Sequence, residues 1–579
     1  MKSAFSVLKT PFERSDSHGW ETEYPRPQFK RESFISLCGK WKLFVGTNSS
    51  ETYAGNVRVP FPTESRLSGI ERTLQKGEHY RYTKTFELQN IPCKQRLILH
   101  FGAVDQVAEV AVNGQSVGKH EGGYLPFSFD ITEFVISGEN TLSVVVVDTL
   151  DQTYPYGKQR KKRGGMWYTP ISGIWQPVWM EWVPEHGFAS IQITPTTHSV
   201  TIKTVGGEQE KQLTLFDGTT YAYSGDTITI SFASPHLWSP EDPFLYDFTL
   251  TDGVDRISSY FALRTVTAQT VNGKPTLCLN DKPYFFHGVL DQGYFSDGIY
   301  LPADPDGYVF DIQTMKRLGF NTLRKHIKVE PDLFYYYCDR LGMVVFQDMV
   351  NNGKYHFIWD TALPTVGLKR LPKLPPTKNR KNRFEQSCEE TIAHLYNHPC
   401  VCYYTIFNEG WGQFDSDRIY AMLKKKDGTR IWDTTSGWFF RRDSDVQSEH
   451  VYFRKVQCRP SSKPIVLSEF GGYACKIADH VYNLKKDYGY KTCPSTDRLE
   501  HDLQALYGEQ IVPSVWQGLC AAILTQLSDV EDEINGLVTY DRQVVKVSES
   551  TMQQVSDLLW QAFEGYHNRE EPDSTEVKK

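Results

Sequence analysis

The feature that most limits the fold of this chain is a regular alternation of short apolar strands with amphipathic helices after about residue 275. Strands joined by crossover helices form parallel sheets. Eight apolar runs are strand candidates: 284–290, 322–326, 344–348, 401–408, 430–434, 449–453, 465–469 and 521–527. Six helical patterns accompany them: 306–318, 331–341, 384–396, 416–426, 497–508 and 549–563. Eight such strands predict a (β/α)8 TIM barrel.

Two connections in this pattern are too short for good helices. Segments 437–448 and 454–463 have no apolar helical period. We therefore predict that the helices after the fifth and sixth strands are missing or broken.

The residues before the barrel have the character of β-sandwiches. Alternating runs at 96–101 and 108–112, an Asn113-Gly114 hairpin turn and a strand at 141–147 predict a jelly-roll β-sandwich. Shorter strands at 227–232 and 245–250, separated by glycine turns, predict a second, immunoglobulin-like β-sandwich. The predicted domains are 1–183, 184–268 and a catalytic barrel at 269–579.

Composition excludes several classes of protein. The net charge of −7 gives no whole-chain signal for nucleic acid, and the longest apolar run, 142–147, is too short for a membrane span. The 11 cysteines are odd in number and scattered, and the first residues lack the apolar core of a signal peptide. These features predict a cytoplasmic protein with reduced thiols and with neither nucleic acid nor membrane as a partner. The 13% aromatic content fits either sugar-binding clefts or large sandwich cores.

Two basic runs, 158–163 and 369–383, are interpreted as loops. Solvated loops are the simplest interpretation, and two alternatives stay open: a nucleic-acid patch and attraction of an anionic sugar. No aromatic residues alternate with the charges of these runs, as base stacking would require.

Chemistry in a TIM barrel lies at the carboxyl ends of its strands. The polar residues at these ends are Asp291, Arg324, His326, Asp348, Asn408, Glu409, Tyr452, Glu469 and Asp529. Glu409 and Glu469 each end a buried apolar run, where a carboxylate is costly unless it faces an open mouth. A capping role explains either one alone, but a pair at two strand ends points to catalysis.

Two carboxyl groups across a barrel mouth suit glycoside hydrolysis. One protonates the departing oxygen, and the other attacks the anomeric carbon or activates a water. A separation of about 5–5.5 Å gives retention of configuration, whereas about 6.5–9.5 Å gives inversion. The acid also needs a raised pKa, which burial and a negative neighbour supply.

At these residues the chain resembles the family 2 glycoside hydrolases, which include β-galactosidases, β-glucuronidases and β-mannosidases. The Asn408-Glu409 pair and the segment 468–472, SEFGG, resemble the two signature strands of that family. The stretches 24–28, 37–41, 102–105, 112–114, 118–127, 165–168 and 172–175 resemble its sugar-binding jelly roll in order and spacing. The resemblance covers nearly the whole chain.

The resemblance implies a role for each matching residue. Glu409 would be the general acid/base and Glu469 the nucleophile of a retaining double displacement. Asn408 would hold the sugar 2-hydroxyl, His326 would bind a ring hydroxyl, and Tyr452 would hydrogen-bond the nucleophile. Arg324 belongs to the same strand-end motif as His326. Salt bridging by Arg324 and simple packing of His326 remain alternatives.

Two departures from the family pattern limit the prediction of the sugar. Members that bind glucuronic acid carry an Asn-x-Lys motif, but here Glu533 and Asn535 occupy those positions, and a glutamate would repel a sugar carboxylate. The best-known galactosidases place an Asp before a Met-Trp pair, where this chain has Gly164-Gly165. Asp291 could replace that Asp, Asp348 is a further substrate-binding candidate, and Trp411 is either an aromatic wall or a packing residue.

We therefore expect a retaining exo-β-glycosidase that acts on terminal β-D-galactosides in small oligosaccharides or glycosides. The alternatives are a uronide, an arabinopyranoside or a mannoside as substrate, and, outside enzymes, a catalytically silent carbohydrate-binding protein. The mechanism needs no cofactor. Some relatives bind Mg²⁺ or Na⁺ near the acid/base, but the sequence contains no dedicated metal cluster. The resemblance also implies a homo-oligomer.

Overall fold

The computed structural model describes residues 5–14, 18–47, 49–363, 368, 376–439 and 443–569, which form two β-sandwiches and a barrel. The first sandwich faces a six-stranded sheet against a four-stranded sheet, with a two-stranded ribbon beside them. In spatial order the larger sheet comprises Glu51–Val59, Gly39–Gly46, His79–Leu88, Gly138–Val147, Val107–Val112 and Gln115–Glu121. The smaller sheet comprises Phe34–Ser36, Val178–Pro184, Gln95–Phe101 and Phe127–Asp130, and the ribbon comprises Gly173–Ile174 and Val104–Asp105.

The second sandwich is smaller and entirely antiparallel. Its sheets are Phe188–Pro195, Ser199–Gly206 and Thr227–Ser231, and, opposite them, Thr220–Ser224, Glu210–Leu215, Tyr246–Thr251 and Arg256–Phe261. A three-stranded meander of Val266–Val271, Lys274–Leu279 and Lys282–Pro283 then leads into the barrel. The first of these strands crosses the predicted boundary at 268, and the domain limits remain predictions.

Eight parallel strands form the barrel, as the alternating pattern predicts. They are β1 (Phe286–Asp291), β2 (Thr322–Lys325), β3 (Val344–Asp348), β4 (Val401–Phe407), β5 (Ile431–Thr435), β6 (Gln447–Val451), β7 (Ile465–Gly471) and β8 (Leu519–Thr525). Every observed end lies within two residues of its prediction. All positions of most of these strands are buried, because helices cover the outside and side chains fill the inside.

Six helices of the barrel domain are longer than one or two turns. They are α1 (Asp306–Arg317), α2 (Asp332–Leu341), α3 (Lys378–Leu395), α4 (Ser416–Lys426), α5 (Thr496–Leu506) and α6 (Glu549–Asn568). Shorter helical or paired segments are Gly19–Thr22, Pro27–Phe29, Arg66–Ser68, Thr132–Phe134, Ile358–Ala362, Asn408–Gly410, Tyr507–Ile511, Val512–Val515, Tyr473–Cys475 and Lys491–Cys493. Among the described helices, none is long and apolar enough to cross a membrane.

The barrel has a seam between β5 and β6. Backbone pairing runs in the order β5-β4-β3-β2-β1-β8-β7-β6, and within the described residues β5 and β6 share no ladder. No helix is described between β5 and β6 or between β6 and β7, as predicted from the sequence, although residues 440–442 lie outside the described part.

The prediction of loops for both basic runs is wrong in part. Residues 378–383 form the first turns of α3, where the Thr377 side chain accepts a hydrogen bond from the Arg380 backbone N–H (3.3 Å). A capping residue followed by Lys and Arg, which are good helix formers, explains this start. Residues 369–375 lie outside the described part of the chain.

In the other basic run, Lys158 and Gln159 are buried rather than solvated, while residues 160–162 are exposed. The Gln159 amide donates to Asp105 Oδ2 (2.8 Å), and its oxygen accepts from the Ile171 N–H (2.7 Å). These bonds hold the start of the run against the first sandwich. The neighbouring residues Trp167, Tyr168 and Trp175 belong to the same hydrophobic core as the barrel.

A buried ionic network joins the two sandwiches. Arg31 donates to Glu181 in the first sandwich (3.3 Å) and to Asp255 in the second (2.7 Å), and both carboxylates are nearly inaccessible. Burial alone would raise the pKa of Glu181, but the charge of Arg26 and hydrogen bonds from Tyr24 and Trp179 lower it to about 2. Glu181 is therefore ionised at neutral pH and depends on its cationic partners.

We predict that Arg31→Met lowers the stability by about 3–5 kcal/mol, because it leaves two buried carboxylates without a shared partner. Arg96→Met is the control: Arg96 lies 3.8 Å from Asp130 in a half-exposed pair, for which about 0–1 kcal/mol is expected. Thermal and urea unfolding of both variants measure the difference. Equal losses would show that the network does not stabilise the sandwich contact.

Candidate active site

The carboxyl ends of β4 and β7 bring Glu409 and Glu469 together at one end of the barrel. Glu409 follows β4 in a tight turn with a positive φ of 52°, and Glu469 lies near the end of β7. The two residues are 9% and 5% exposed, so each is largely withdrawn from water. The predicted carboxylate pair is therefore present as a pair in space.

A histidine lies between the two carboxylates. Nδ1 of His450, on β6, is 3.0 Å from Glu409 Oε1 and 3.4 Å from Glu469 Oε2. This nitrogen and one oxygen from each carboxylate all lie within 4.8 Å of one another. This close approach suits a retaining mechanism better than an inverting one, which needs room for a water.

Two further hydrogen bonds favour the charged form of Glu469. Arg324 Nη1 donates to its Oε1 (2.9 Å), and Tyr452 Oη donates to its Oε2 (2.6 Å). Burial would raise the pKa of Glu469, but the neighbouring side chains of His450, Arg324 and His326 and the hydrogen bond from Tyr452 lower it to about 2. Glu469 is therefore an anion at neutral pH.

Arg324, on β2, connects the strand ends around this pair. It donates through Nε to Asp348 Oδ1 (3.0 Å) and through Nη2 to Asn408 Oδ1 (2.9 Å). Nη1 also donates to the Ser468 carbonyl (2.9 Å), and the side chain is only 1% exposed. Each nitrogen of the guanidinium thus has a protein acceptor. These contacts fit the prediction that Arg324 is a salt-bridge partner better than the prediction that it contacts the sugar.

Asn408 and His326 have polar atoms that remain available to a ligand. Asn408 Oδ1 accepts from Arg324 and from Ser436 Oγ (3.0 Å), and among the described residues its Nδ2 has no hydrogen-bond partner. His326 Nδ1 contacts Asp348 Oδ2 (2.8 Å), and burial lowers the pKa of His326 to about 4. The neutral ring therefore donates through Nδ1 to Asp348 and leaves Nε2 as an acceptor.

Tyr452 is fixed as a hydrogen-bond donor. Its ring stacks on Tyr490 with centroids 3.9 Å apart, and its hydroxyl also lies 2.8 Å from Thr525 Oγ1. Burial raises the pKa of Tyr452 well above its usual value, so the phenol keeps its proton. The structure thus places Tyr452 where the resemblance implies, beside the carboxylate of Glu469.

The other candidate residues lie in different surroundings. Trp411 is 2% exposed, donates to the Gly353 carbonyl (2.8 Å), and packs edge-on against Trp167, which favours the packing interpretation over an aromatic wall. Asp291 accepts from Lys325 (2.6 Å), and Asp529 accepts from Lys546 (2.6 Å). Both aspartates are thus bound in buried ion pairs rather than held by contacts to the two glutamates.

Sequence reasoning missed His450, Ser436 and Thr525. His450 could have been found, because it lies two residues before Tyr452, and side chains at this spacing on a strand point to the same face. Ser436 follows the short strand β5 in a segment without a recognisable pattern, so no signal identified it.

Glu533 and Lys158 extend the polar surroundings of the site. Glu533 accepts from Tyr168 Oη (2.5 Å) and from Asn535 Nδ2 (3.0 Å), and burial raises its pKa. Lys158 is 9% exposed with its amine 5.5 Å from the Trp167 ring centroid, and within the described chain it forms no ion pair or side-chain hydrogen bond. Its positive charge lowers the pKa of both Glu533 and His326, so it lies near both.

Three side chains of the site are of the types that bind metal ions. In the described part of the chain, Glu409, His450 and Glu469 form the single group of three ligand-type side chains with the required spacing. Arg324 has only donors and lies 3.4 Å from His450 Nε2, so that nitrogen is the acceptor and Nδ1 carries the proton. A cation at this place would have to displace the proton of Nδ1, and the charge of Arg324, 2.9 Å from Glu469, opposes a second cation there.

Comparison with family models accounts for nearly the whole chain. The sugar binding domain of glycosyl hydrolases family 2 matches residues 3–184, a second domain of that family matches 187–264, and its TIM barrel domain matches 271–546. The chain belongs to glycoside hydrolase family 2. The family resemblance and the predicted fold class are thereby confirmed.

Curated relatives and solved structures agree with this membership. A β-galactosidase of Pseudoalteromonas haloplanktis is 23% identical over 491 residues, which cover 75% of this chain and 44% of that protein. The chain spans only 37% to 44% of the length of four curated relatives, two of them β-galactosidases and two of them putative β-glucuronidases. In fold, it is similar to a β-D-glucuronidase of Dictyoglomus thermophilum, with a TM-score of 0.73, 20% identity, and coverage of 92% of this chain and 98% of that chain. A galacturonate-bound β-galacturonidase of Eisenbergiella tayi gives a TM-score of 0.66 at 18% identity, with coverage of 94% and 99%.

Proposed function

We propose that this family 2 protein is a retaining exo-β-glycosidase. The observation that carries the proposal is the convergence of Glu409 and Glu469 on His450 Nδ1, at 3.0 and 3.4 Å, with oxygens of the two carboxylates within 4.8 Å of each other. An anionic Glu469 beside a second carboxyl is the arrangement that a double displacement requires.

In the first step, the Glu469 carboxylate attacks the anomeric carbon while Glu409 gives its proton to the glycosidic oxygen, and the bond to the aglycone breaks. In the second step, Glu409 takes a proton from a water, which attacks the glycosyl–Glu469 ester and releases the sugar with its original configuration. Asn408 Nδ2 and His326 Nε2 supply a donor and an acceptor for sugar hydroxyls. Arg324 and Asp348 act by positioning these residues.

We propose terminal β-D-galactosides as the substrates, with the β-galactosidase relatives as support. Glu533 also counts against a uronide, because it occupies the position of the asparagine in the uronide-binding motif, and a carboxylate there would repel that of the sugar. The second candidate is a β-glucuronide or β-galacturonide, and the buried amine of Lys158, which forms no ion pair with any described residue, favours it. The cytoplasmic location, which unpaired cysteines support, and the homo-oligomer remain predictions.

The two glutamates can be tested separately. We predict that Glu469→Ala abolishes turnover, and that Glu409→Gln lowers kcat/KM for 4-nitrophenyl glycosides about 10²–10⁴-fold. On 2,4-dinitrophenyl glycosides, whose leaving group needs no proton, the first step of Glu409→Gln should stay fast. Stopped-flow release of the phenol measures both.

The control is Glu389→Gln, whose exposed side chain pairs with Lys426 (3.0 Å) and should leave the rates unchanged. A 2-deoxy-2-fluoro glycoside should label Glu469, as peptide mass spectrometry detects. Full activity of Glu469→Ala would refute the nucleophile assignment, and a wild-type protein that binds but hydrolyses no glycoside would support the silent carbohydrate-binding alternative.

The substrate class can be tested at Lys158. If the sugar is a uronide, Lys158→Met should lower kcat/KM for the 4-nitrophenyl uronide about 10–100-fold, because a charged hydrogen bond is lost. If it is a galactoside, the wild-type protein should turn over galactoside fastest and the variant should retain that preference. Lys161→Met, in the exposed part of the same run, is the control. A galactoside rate below all other sugars would refute the galactoside proposal.

We also propose that the reaction needs no metal ion, because His450 Nδ1 bears a proton and Arg324 supplies the local positive charge. Exhaustive dialysis against EDTA should leave kcat/KM at its starting value. A loss of activity that Mg²⁺ or Na⁺ restores would contradict this.

A further inference from the structure

His450 is buried at the centre of the site, and neither the sequence motifs nor the family comparison gave it a role. Its side chain is inaccessible to solvent, and its ring meets charged groups from four other strands or strand ends. These are Arg324 at β2, Glu409 after β4, Asp433 on β5 and Glu469 on β7. Trp438 packs against the ring edge-on, with centroids 5.8 Å apart.

The tautomer of this ring follows from its contacts. Arg324 Nη1 lies 3.4 Å from Nε2, and a guanidinium can only donate. Nε2 is therefore unprotonated, and a proton added there would point at the Arg324 cation. These contacts place the ring proton on Nδ1, which faces the carboxylates.

That proton faces two acceptors. Glu409 Oε1 is hydrogen-bonded to Nδ1 at 3.0 Å, and Glu469 Oε2 lies 3.4 Å from the same nitrogen, in ion-pair contact, so a small shift of the N–H toward Glu469 would exchange the acceptor. The two carboxylates would otherwise repel each other across a gap of less than 4.8 Å. Glu469 has Arg324 and Tyr452 as additional donors, whereas Glu409 receives its side-chain hydrogen bond from His450 alone among the described residues.

We propose that His450 is a positioning residue whose Nδ1–H is shared by the acid/base and the nucleophile and follows the negative charge between them. This inference rests on the proposed double displacement. Before the first step, the anion is Glu469 and Glu409 is protonated; in the glycosyl ester, Glu469 is neutral and Glu409 is the anion. A donor placed between them stabilises whichever group is charged, without any movement of the barrel.

The sign of the expected pH effect follows from this geometry. A donated N–H stabilises a carboxylate, so its removal raises the pKa of the carboxylate. The acid limb of the kcat/KM profile reports ionisation of the nucleophile, and the basic limb reports deprotonation of the acid. In His450→Phe both limbs should therefore move to higher pH by about one unit, and kcat/KM at the optimum should fall roughly 10–100-fold.

His450→Asn tests whether the hydrogen bond, rather than the ring, matters, because its amide can donate from nearly the position of Nδ1. We expect both of its limbs to stay close to those of the wild type. The matched control is His287→Phe: His287 is another fully buried barrel histidine, but its ring contacts Gly319 O and Tyr507 Oη instead of the glutamates. Its limbs should not move.

Three results would overturn the proposal: limbs of His450→Phe that do not move, movement of one limb only, or His450→Asn limbs displaced as far as those of His450→Phe. Should either variant fail to fold, neutron diffraction of the wild-type protein decides instead. Deuterium on Nδ1 and none on Nε2 supports the shared donor, and deuterium on Nε2 refutes it. Wild-type turnover and labelling of Glu469 test the proposed function independently, so failure of either idea can be recognised.

Discussion

The arrangement of this site depends on one buried guanidinium. Arg324 brings a permanent positive charge into the barrel, where an unpaired charge would be prohibitively unstable. It is compensated by Asp348 and Glu469 and by the oxygens of Asn408 and Ser468. Because these acceptors come from β3, β4 and β7, a single side chain on β2 sets the relative positions of residues that are far apart in sequence.

The same charge explains the protonation states around it. It keeps Glu469 anionic although burial opposes this, and it fixes the proton of His450 on Nδ1. Asp348 in turn fixes the proton of His326 on Nδ1. Glu469, His450 and His326 are thus set as donors or acceptors before a ligand arrives, and such preorganisation lowers the cost of binding and reaction.

Much of the fold was predictable, because strand and helix periods are local properties of the sequence. The eight barrel strands, and the lack of a helix on either side of β6 in the described residues, followed from apolar patterns alone. The early start of α3 was missed, because its first turns are polar and its N-cap is a single threonine. In the site, Glu409 and Glu469 stood out as acids at the ends of buried strands. The burial of Trp411, the contacts of Arg324 and the position of His450 depend on how distant strands meet, which no local pattern records.

The contribution of the first sandwich to the barrel mouth has a wider consequence. Tyr168 reaches Glu533 beyond β8, and the buried Lys158 lies on the segment that pairs with the backbone of Tyr168 (3.0 Å). The residues that handle the acetal belong to the barrel, whereas part of the wall beside them belongs to a different domain. If Lys158 contacts the substrate as proposed, substitutions in that wall alter which sugar is accepted while the charged centre stays intact. A change of substrate preference then requires no change in the strands that perform the chemistry.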